Sequence, residues 1–129
     1  DNPQKPVPTL NFDTKIKLQA EHFFKAVEAS RKLGESITLT TEENKENLNI
    51  SFKNKTFNFS LDIPIIDESV VIKDTKCIYS LKFIHSFLKE FKQSELKNKD
   101  VLLEFSTDYP MKITLRDVWA IMAPRVSNE

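Results

Sequence analysis

The chain has one glycine, Gly34, among 129 residues. Phosphate-cradling loops, dinucleotide fingerprints and nucleophile elbows all need glycine where backbone must approach a ligand or turn sharply. None of them can be built here. Gly34 itself follows Arg31-Lys32-Leu33, where a left-handed residue closes a helix, and that structural use is sufficient for it. Cysteine is equally scarce. Cys77 stands alone, which rules out a disulfide within these residues and suits a reducing, intracellular compartment. In a strand with no evident base beside it, it reads as a small core residue and not as a nucleophile. His22 and His85 are the only histidines, and neither has a second ligand at metal-binding spacing, so no metal is expected. Asp67 and Glu68 are adjacent in a loop, whereas acid–base chemistry needs carboxylates held across a cleft. With no catalytic constellation and no cofactor motif, an enzyme is not expected. No apolar run approaches the ~18 residues of a membrane span, and no signal peptide is visible. Neither sign of charge dominates: lysine and arginine total 19, as do aspartate and glutamate. Any attraction to a polyanion must come from one local face.

What is present is a repeated pattern. A chain of this length can bury roughly 65–70% of its unfolded surface in a single core. Residues 1–12 carry prolines at positions 3, 6 and 8 and read as a partly stiff linker, so the chain looks like a piece cut from a longer protein, or a processed one. A short alternating segment, 15–19, leads into a helix-period segment, 20–33, in which Ala20, Phe23, Phe24 and Val27 share one face. Three alternating segments follow, over 37–40, 48–52 and 57–61, with turns in which asparagine, tolerant of positive φ, replaces glycine. After a connection at 64–68 and a further short strand at 69–72 the order repeats. Strand 76–79 leads into helix 80–91, with Ser80 as its N-cap and Ile84, Phe87, Leu88 and Phe91 on the buried face. Residues 92–99 are polar, and strands 101–105, 111–115 and 118–122 close the chain across a tight turn at Arg116-Asp117. The expected fold is α+β: two β-α-β-β-β units, 14–63 and 69–126, with both helices on one face of a curved antiparallel sheet. The outward helix faces carry Lys25 and Lys32 in the first and Lys82 and Lys89 in the second, with Glu21 and Glu28 among them.

Several stretches resemble one family. DYPMKIT followed by a strand and AIMAPRV is similar to the closing hairpin of proliferating cell nuclear antigen, the DNA sliding clamp. KIKLQAEHFFKAVEASRKLGESITLT resembles the segment that opens that family's second domain, and YSLKFIHSFLKEF resembles its final helix. With its acidic tail nearly absent, the sequence looks archaeal, and the match covers the second half of a clamp subunit. The resemblance implies the DNA clamp fold, with 1–13 the remnant of an interdomain connector and 14–129 the C-terminal clamp domain. It implies that Lys25, Lys32, Lys82 and Lys89 face duplex DNA without reading its sequence. Thr56, Phe57, Asn58, Phe59, Ser60 and Leu61 would form the edge that pairs with a neighbouring subunit, and the strand carrying Trp119 would meet the first domain. Val7, Pro8, Tyr109, Pro110, Ile121, Ala123 and Pro124 would surround a pocket for partner peptides. The partners implied are other clamp subunits in a trimeric ring, a clamp loader, and polymerases, nucleases and ligases of replication and repair, with no membrane. The location implied is intracellular and DNA-associated, in the cytoplasm of an archaeon or the nucleus of a eukaryote. Two other readings remain open: a checkpoint-type clamp subunit, and a stand-alone peptide-binding scaffold that never encircles DNA.

Overall fold

Strict alternation makes most of the strands. In β2 (Ser36–Thr41) every second side chain is buried, Ile37, Leu39 and Thr41. The same holds for Thr75, Cys77 and Tyr79 in β6 (Thr75–Ser80), for Val101, Leu103 and Phe105 in β7 (Asp100–Phe105), and for Met111, Ile113 and Leu115 in β8 (Met111–Leu115). The computed structural model describes residues 9–53, 55–56 and 58–125, with backbone alone at 53 and 67–70. The remaining elements are β1 (Thr14–Gln19), α1 (Ala20–Arg31), β3 (Asn47–Lys53), β4 (Asn58–Pro64), β5 (Ile66–Val71), α2 (Leu81–Lys89), α3 (Gln93–Leu96) and β9 (Val118–Met122). The architecture is α+β, with the order β-α-β-β-β present twice.

The strands form two antiparallel sheets, ordered β5-β1-β7-β8-β9 and β4-β3-β2-β6. Each sheet therefore takes its opening strand from the other half of the chain. β1 pairs with β7, from Thr14 opposite Phe105 to Gln19 opposite Asp100, and β6 pairs with β2, from Thr75 opposite Thr41 to Ser80 opposite Ser36. The exchange brings equivalent residues together. Thr14 and Thr75, the first residues of their strands and 61 positions apart, share a hydroxyl hydrogen bond of 2.6 Å in the buried interior. The Thr41 hydroxyl completes the cluster and donates to the Lys73 carbonyl at 2.7 Å. The same offset of 61 separates Ala20 and Leu81, which begin α1 and α2. One hydrophobic core runs beneath both helices and includes Ile16, Leu18, Phe23, Val27, Tyr79, Ile84 and Leu88.

Four expectations are corrected. The connection expected at 64–68 is almost entirely strand: only Ile65 separates β4 from β5, and its N–H donates to the Glu46 carbonyl at 2.8 Å. β5 then adds to β1 across a shift of register between Lys15 and Lys17, giving that sheet a fifth strand. The polar stretch 92–99 contains the helical turn α3. It is held by Leu96, which is buried, and by Glu95, whose carboxylate accepts from the Lys92 N–H at 2.8 Å and from Arg116 at 2.7 Å. The Lys92 hydrogen bond, helped by Arg116, holds the Glu95 carboxyl below the usual carboxylate range. Finally, Gly34 is not left-handed, and neither are the asparagines of the 44–47 turn. The positive φ angles among the described residues belong to Asn98, Asp108 and Arg116, at 60°, 55° and 56°.

Candidate nucleic-acid interface

α1 and α2 lie against each other. Phe24 of α1 stacks on His85 of α2 with ring centroids 5.9 Å apart and planes 19° from parallel. Glu28 Oε2 stands 3.8 Å from the buried His85 Nε2. α1 rests on β1 and β7, and α2 on β2 and β6, so the helix pair covers both sheets from one side. The buried face of α1 is Ala20, Phe23, Ala26, Val27 and Ser30, with Phe24 rotated toward α2. That of α2 is Leu81, Ile84, His85 and Leu88, while Phe87 and Phe91 are half-buried and meet edge to face. His85, with no role in sequence, thus proves to be the packing residue between the helices. Glu21 in the first turn of α1, and Arg31 and Lys89 in the last turns, suit the helix dipoles. The Ser80 hydroxyl caps α2 by accepting from the Phe83 N–H at 3.4 Å.

All four lysines singled out above are exposed, and none makes an ion pair among the described residues. Lys32 is the C-cap of α1 and not a member of its last turn. They do not form one cluster. Lys25 borders an apolar depression of about 350 Å³ between α1 and β4, with Ala26, Ala29, Leu61 and Ile63. Lys89 borders a second depression, between the helices, with Phe24, Glu28 and Phe91. Lys82 lies at the far end of α2 beside Arg31.

β4 stands at the edge of its sheet, bonded on one side to β3 from Asn47 opposite Pro64 to Lys53 opposite Asn58. Of the six residues expected at a subunit edge, Asn58, Phe59, Ser60 and Leu61 lie in this strand and Thr56 precedes it. Phe57 lies outside the described residues. β9 is the edge of the other sheet, and Val118, Trp119 and Ile121 on it are exposed. Lys112 Nζ sits 5.1 Å above the Trp119 ring.

Of the expected pocket residues, Val7 and Pro8 lie outside the described residues. The others fall in two places. Tyr109 meets the start of the chain: its hydroxyl accepts from the Asn11 N–H at 3.2 Å, and Phe12 stands edge-on to its ring at 5.8 Å. Its carbonyl accepts a 2.6 Å hydrogen bond from the Tyr79 hydroxyl, and burial above all, with Cys77 adding to it, pushes the Tyr79 phenol far above its ordinary pKa. Because Met111 is opposite Met122, Pro110 and Ala123 flank one another at the open end of the hairpin, with Pro124 following. Ile121 and Ala123 border a depression of about 340 Å³ together with Phe83, which is 60% exposed. Phe83 was missed in sequence. Its signal was an aromatic outside the 84, 87, 88, 91 series of α2.

No family model matches the chain, and no curated protein matches it in sequence. Solved structures do match. The PCNA of A. fulgidus, in a structure with the C-terminal region of FEN-1 bound, superposes over 100% of this chain with a TM-score of 0.82 at 19% identity. The fold is that of the sliding clamps. Proliferating cellular nuclear antigen from Entamoeba histolytica matches 98% of the chain with a TM-score of 0.74 at 22% identity. The DNA polymerase sliding clamp from Bacillus subtilis matches 99% with a TM-score of 0.77 at 14% identity. The chain spans about half the length of the two PCNA chains, 53% and 51%, and 34% of the Bacillus clamp. Its fold is therefore that of a clamp domain, and among the described residues no helix is long and apolar enough to cross a membrane.

Proposed function

We propose that this chain is the C-terminal half of a DNA sliding-clamp subunit, a non-enzymatic ring component that keeps replication and repair proteins on duplex DNA. The observation that carries the reading is the pairing of α1 with α2 over two sheets that each end in an edge strand, β4 and β9, with no further strand beside it among the described residues. In a ring, β4 pairs with a neighbouring subunit and β9 with the first domain of the same subunit, so each sheet continues across a junction. The helices then line the channel. Lys25, Lys32, Lys82 and Lys89 attract phosphates without reading sequence, and weakly, since Glu21 and Glu28 share the helices with them. A ring held by topology slides better on weak contacts than on tight ones.

Residues 1–13 act as the end of an interdomain connector and 14–129 as the C-terminal domain. The contact of Asn11 and Phe12 with Tyr109 supports that division, because it ties the connector to the hairpin end where Pro110, Ala123 and Pro124 stand. Partner peptides such as the FEN-1 tail bound to the A. fulgidus PCNA would dock beside this junction. The reading is tested by mixing the chain with the first-domain half from the same source and measuring mass by light scattering. A mass of three complete subunits is expected. Monomers at every mixing ratio would favour a peptide-binding scaffold that never encircles DNA.

A further inference from the structure

His85 is a buried titratable group in the contact between α1 and α2, and its Nε2 has no hydrogen-bond partner among the described residues. Phe24 of α1 covers one face of the ring. One turn further along α1, Glu28 brings a carboxylate to 3.8 Å from Nε2. That carboxylate is half in water and makes no other ion pair among the described residues. An Nε2–H aimed at a carboxylate closes to about 2.8 Å. A lone pair that faces one is held off. A gap of 3.8 Å, with no other partner for Nε2, is the geometry of the second case, in which neutral His85 carries its proton on Nδ1. The other charges near the pair are exposed cations. Lys82 and Lys89 stand three and four residues from His85 along α2, and Lys25, Arg31 and Lys32 stand three or four from Glu28 along α1. In water, their effect on a proton at Nε2 is screened. The strands beneath α2 add no charge on its side. β2 has no titratable side chain, and those of β6 are the buried Cys77 and Tyr79, the latter bonded to the Tyr109 carbonyl, and the exposed Lys76.

We infer that His85 and Glu28 form a proton-operated latch between α1 and α2. Uptake of a proton at Nε2 turns a lone pair facing a carboxylate into a donor facing one. The Glu28 side chain, free on its solvent side, closes on it, and a charge-assisted hydrogen bond then joins the helices. The same step offsets the negative charge that shares the inter-helix depression with Lys89, so the lysine is left as the uncompensated charge there. Imidazole changes charge between about pH 5 and pH 8, so the latch works in the range where no ordinary carboxylate or lysine titrates. It needs only the helix pair, and holds whether or not these helices line a channel around DNA.

The test is a double-mutant cycle on the 129-residue chain, with Glu28→Ala and His85→Phe alone and together, unfolded in urea at about pH 5.5 and about pH 8. Phenylalanine keeps a ring to stack on Phe24 and has nothing to protonate. At the lower pH, Glu28→Ala lowers the urea midpoint further in the chain with His85 than in the His85→Phe background. At the higher pH that excess loss is gone. The same excess at both pH values would mean that Nε2 carries a proton throughout, and no excess at either would mean that the two side chains do not interact; each overturns the latch. A second measurement stands if His85→Phe does not fold. The imidazole Cε1–H resonance of His85 is followed by NMR through the same pH range, with His22→Gln to assign it. Glu28→Ala moves the midpoint of that titration to lower pH, because the carboxylate no longer holds the proton on. Equal midpoints with and without Glu28 overturn the inference.

Discussion

At Gly34 the constraint is a neighbour's ring. A Cβ placed there would lie 1.8 Å from Phe52 Cε2 and 2.6 Å from Cδ2, a distance no real pair of carbons adopts, while the backbone itself is open to any residue. Gly34→Ala therefore destabilises by overpacking, by about 1–3 kcal/mol, read as a shift in the urea midpoint. In a Phe52→Leu background the added methyl costs less. An equal cost in both backgrounds would mean that the destabilisation is not steric. Tyr79 makes a different case. It is fully buried, donates to the Tyr109 carbonyl, and holds its proton far above the ordinary phenol pKa. A raised folded-state pKa means that the stabilisation is complete below the unfolded value near 10 and is lost as pH climbs toward the folded one. Stability should fall above about pH 10, and Tyr79→Phe should remove that part of the fall while costing about 1 kcal/mol at neutral pH. Denaturant titrations of both proteins at pH 8 and above about 10 check it. Identical pH profiles would remove Tyr79 as the source.

The two helices are legible in sequence as elements and only partly as surfaces. Ile84 and Leu88 sit on the predicted buried face, because an i, i+4 repeat marks which side of a helix is dry. It does not say which flank of that side meets a sheet and which meets another helix. Hence Phe24 leaves the core for His85, a residue on a helix far along the chain, and Phe87 and Phe91 are only half-buried. The strands were legible for the same local reason. The exchange of β1 and β6 between sheets was not, because alternation fixes the face of a strand and leaves its partner to long-range packing. β5 was largely hidden because Pro64 and the Asp67-Glu68 pair look like a loop. For the site, the exposure of Lys25, Lys82 and Lys89 follows from their place opposite the apolar stripe, whereas His85 and Glu28 meet only because two helices far apart in the chain pack together. Reversing Lys82 and Lys89 to glutamate tests the helix pair as a unit. Duplex binding by the chain should fall and its salt dependence weaken, with the melting temperature little changed, because both positions are exposed and a glutamate that suits the first turn of α2 offsets one that disfavours the last. Unaltered binding at moderate salt would return these lysines to the status of a solvated face.

For the molecule as a whole, the unequal character of two of its free edges decides how it would assemble. β4 carries Asn58, Ser60 and Asp62 exposed or half-exposed, with Phe59 and Leu61 half-buried, beside a depression floored by Ala26 and Ala29. β9 instead presents Val118, Trp119 and Ile121, with Phe83 standing out from α2 nearby. A largely polar edge and an apolar one on different sheets differ enough to suit different partners, as in head-to-tail contacts, which close into a ring when the rotation allows. The apolar edge is also the one that costs most to leave in water, so β9 should find its partner first. Trp119 is the chain's one tryptophan and is 55% exposed, which makes it a reporter for that event. On mixing with the first-domain half, its emission should shift to shorter wavelength and resist iodide quenching. Replacing Ile121 and Phe83 by serine should weaken that response, since both border the apolar ground beside β9. If mass rises to that of a ring while Trp119 stays as quenchable as in the free chain, then β9 is not the strand that joins the first domain. The junction would then have to run through another sheet edge, β4, β5 or β6.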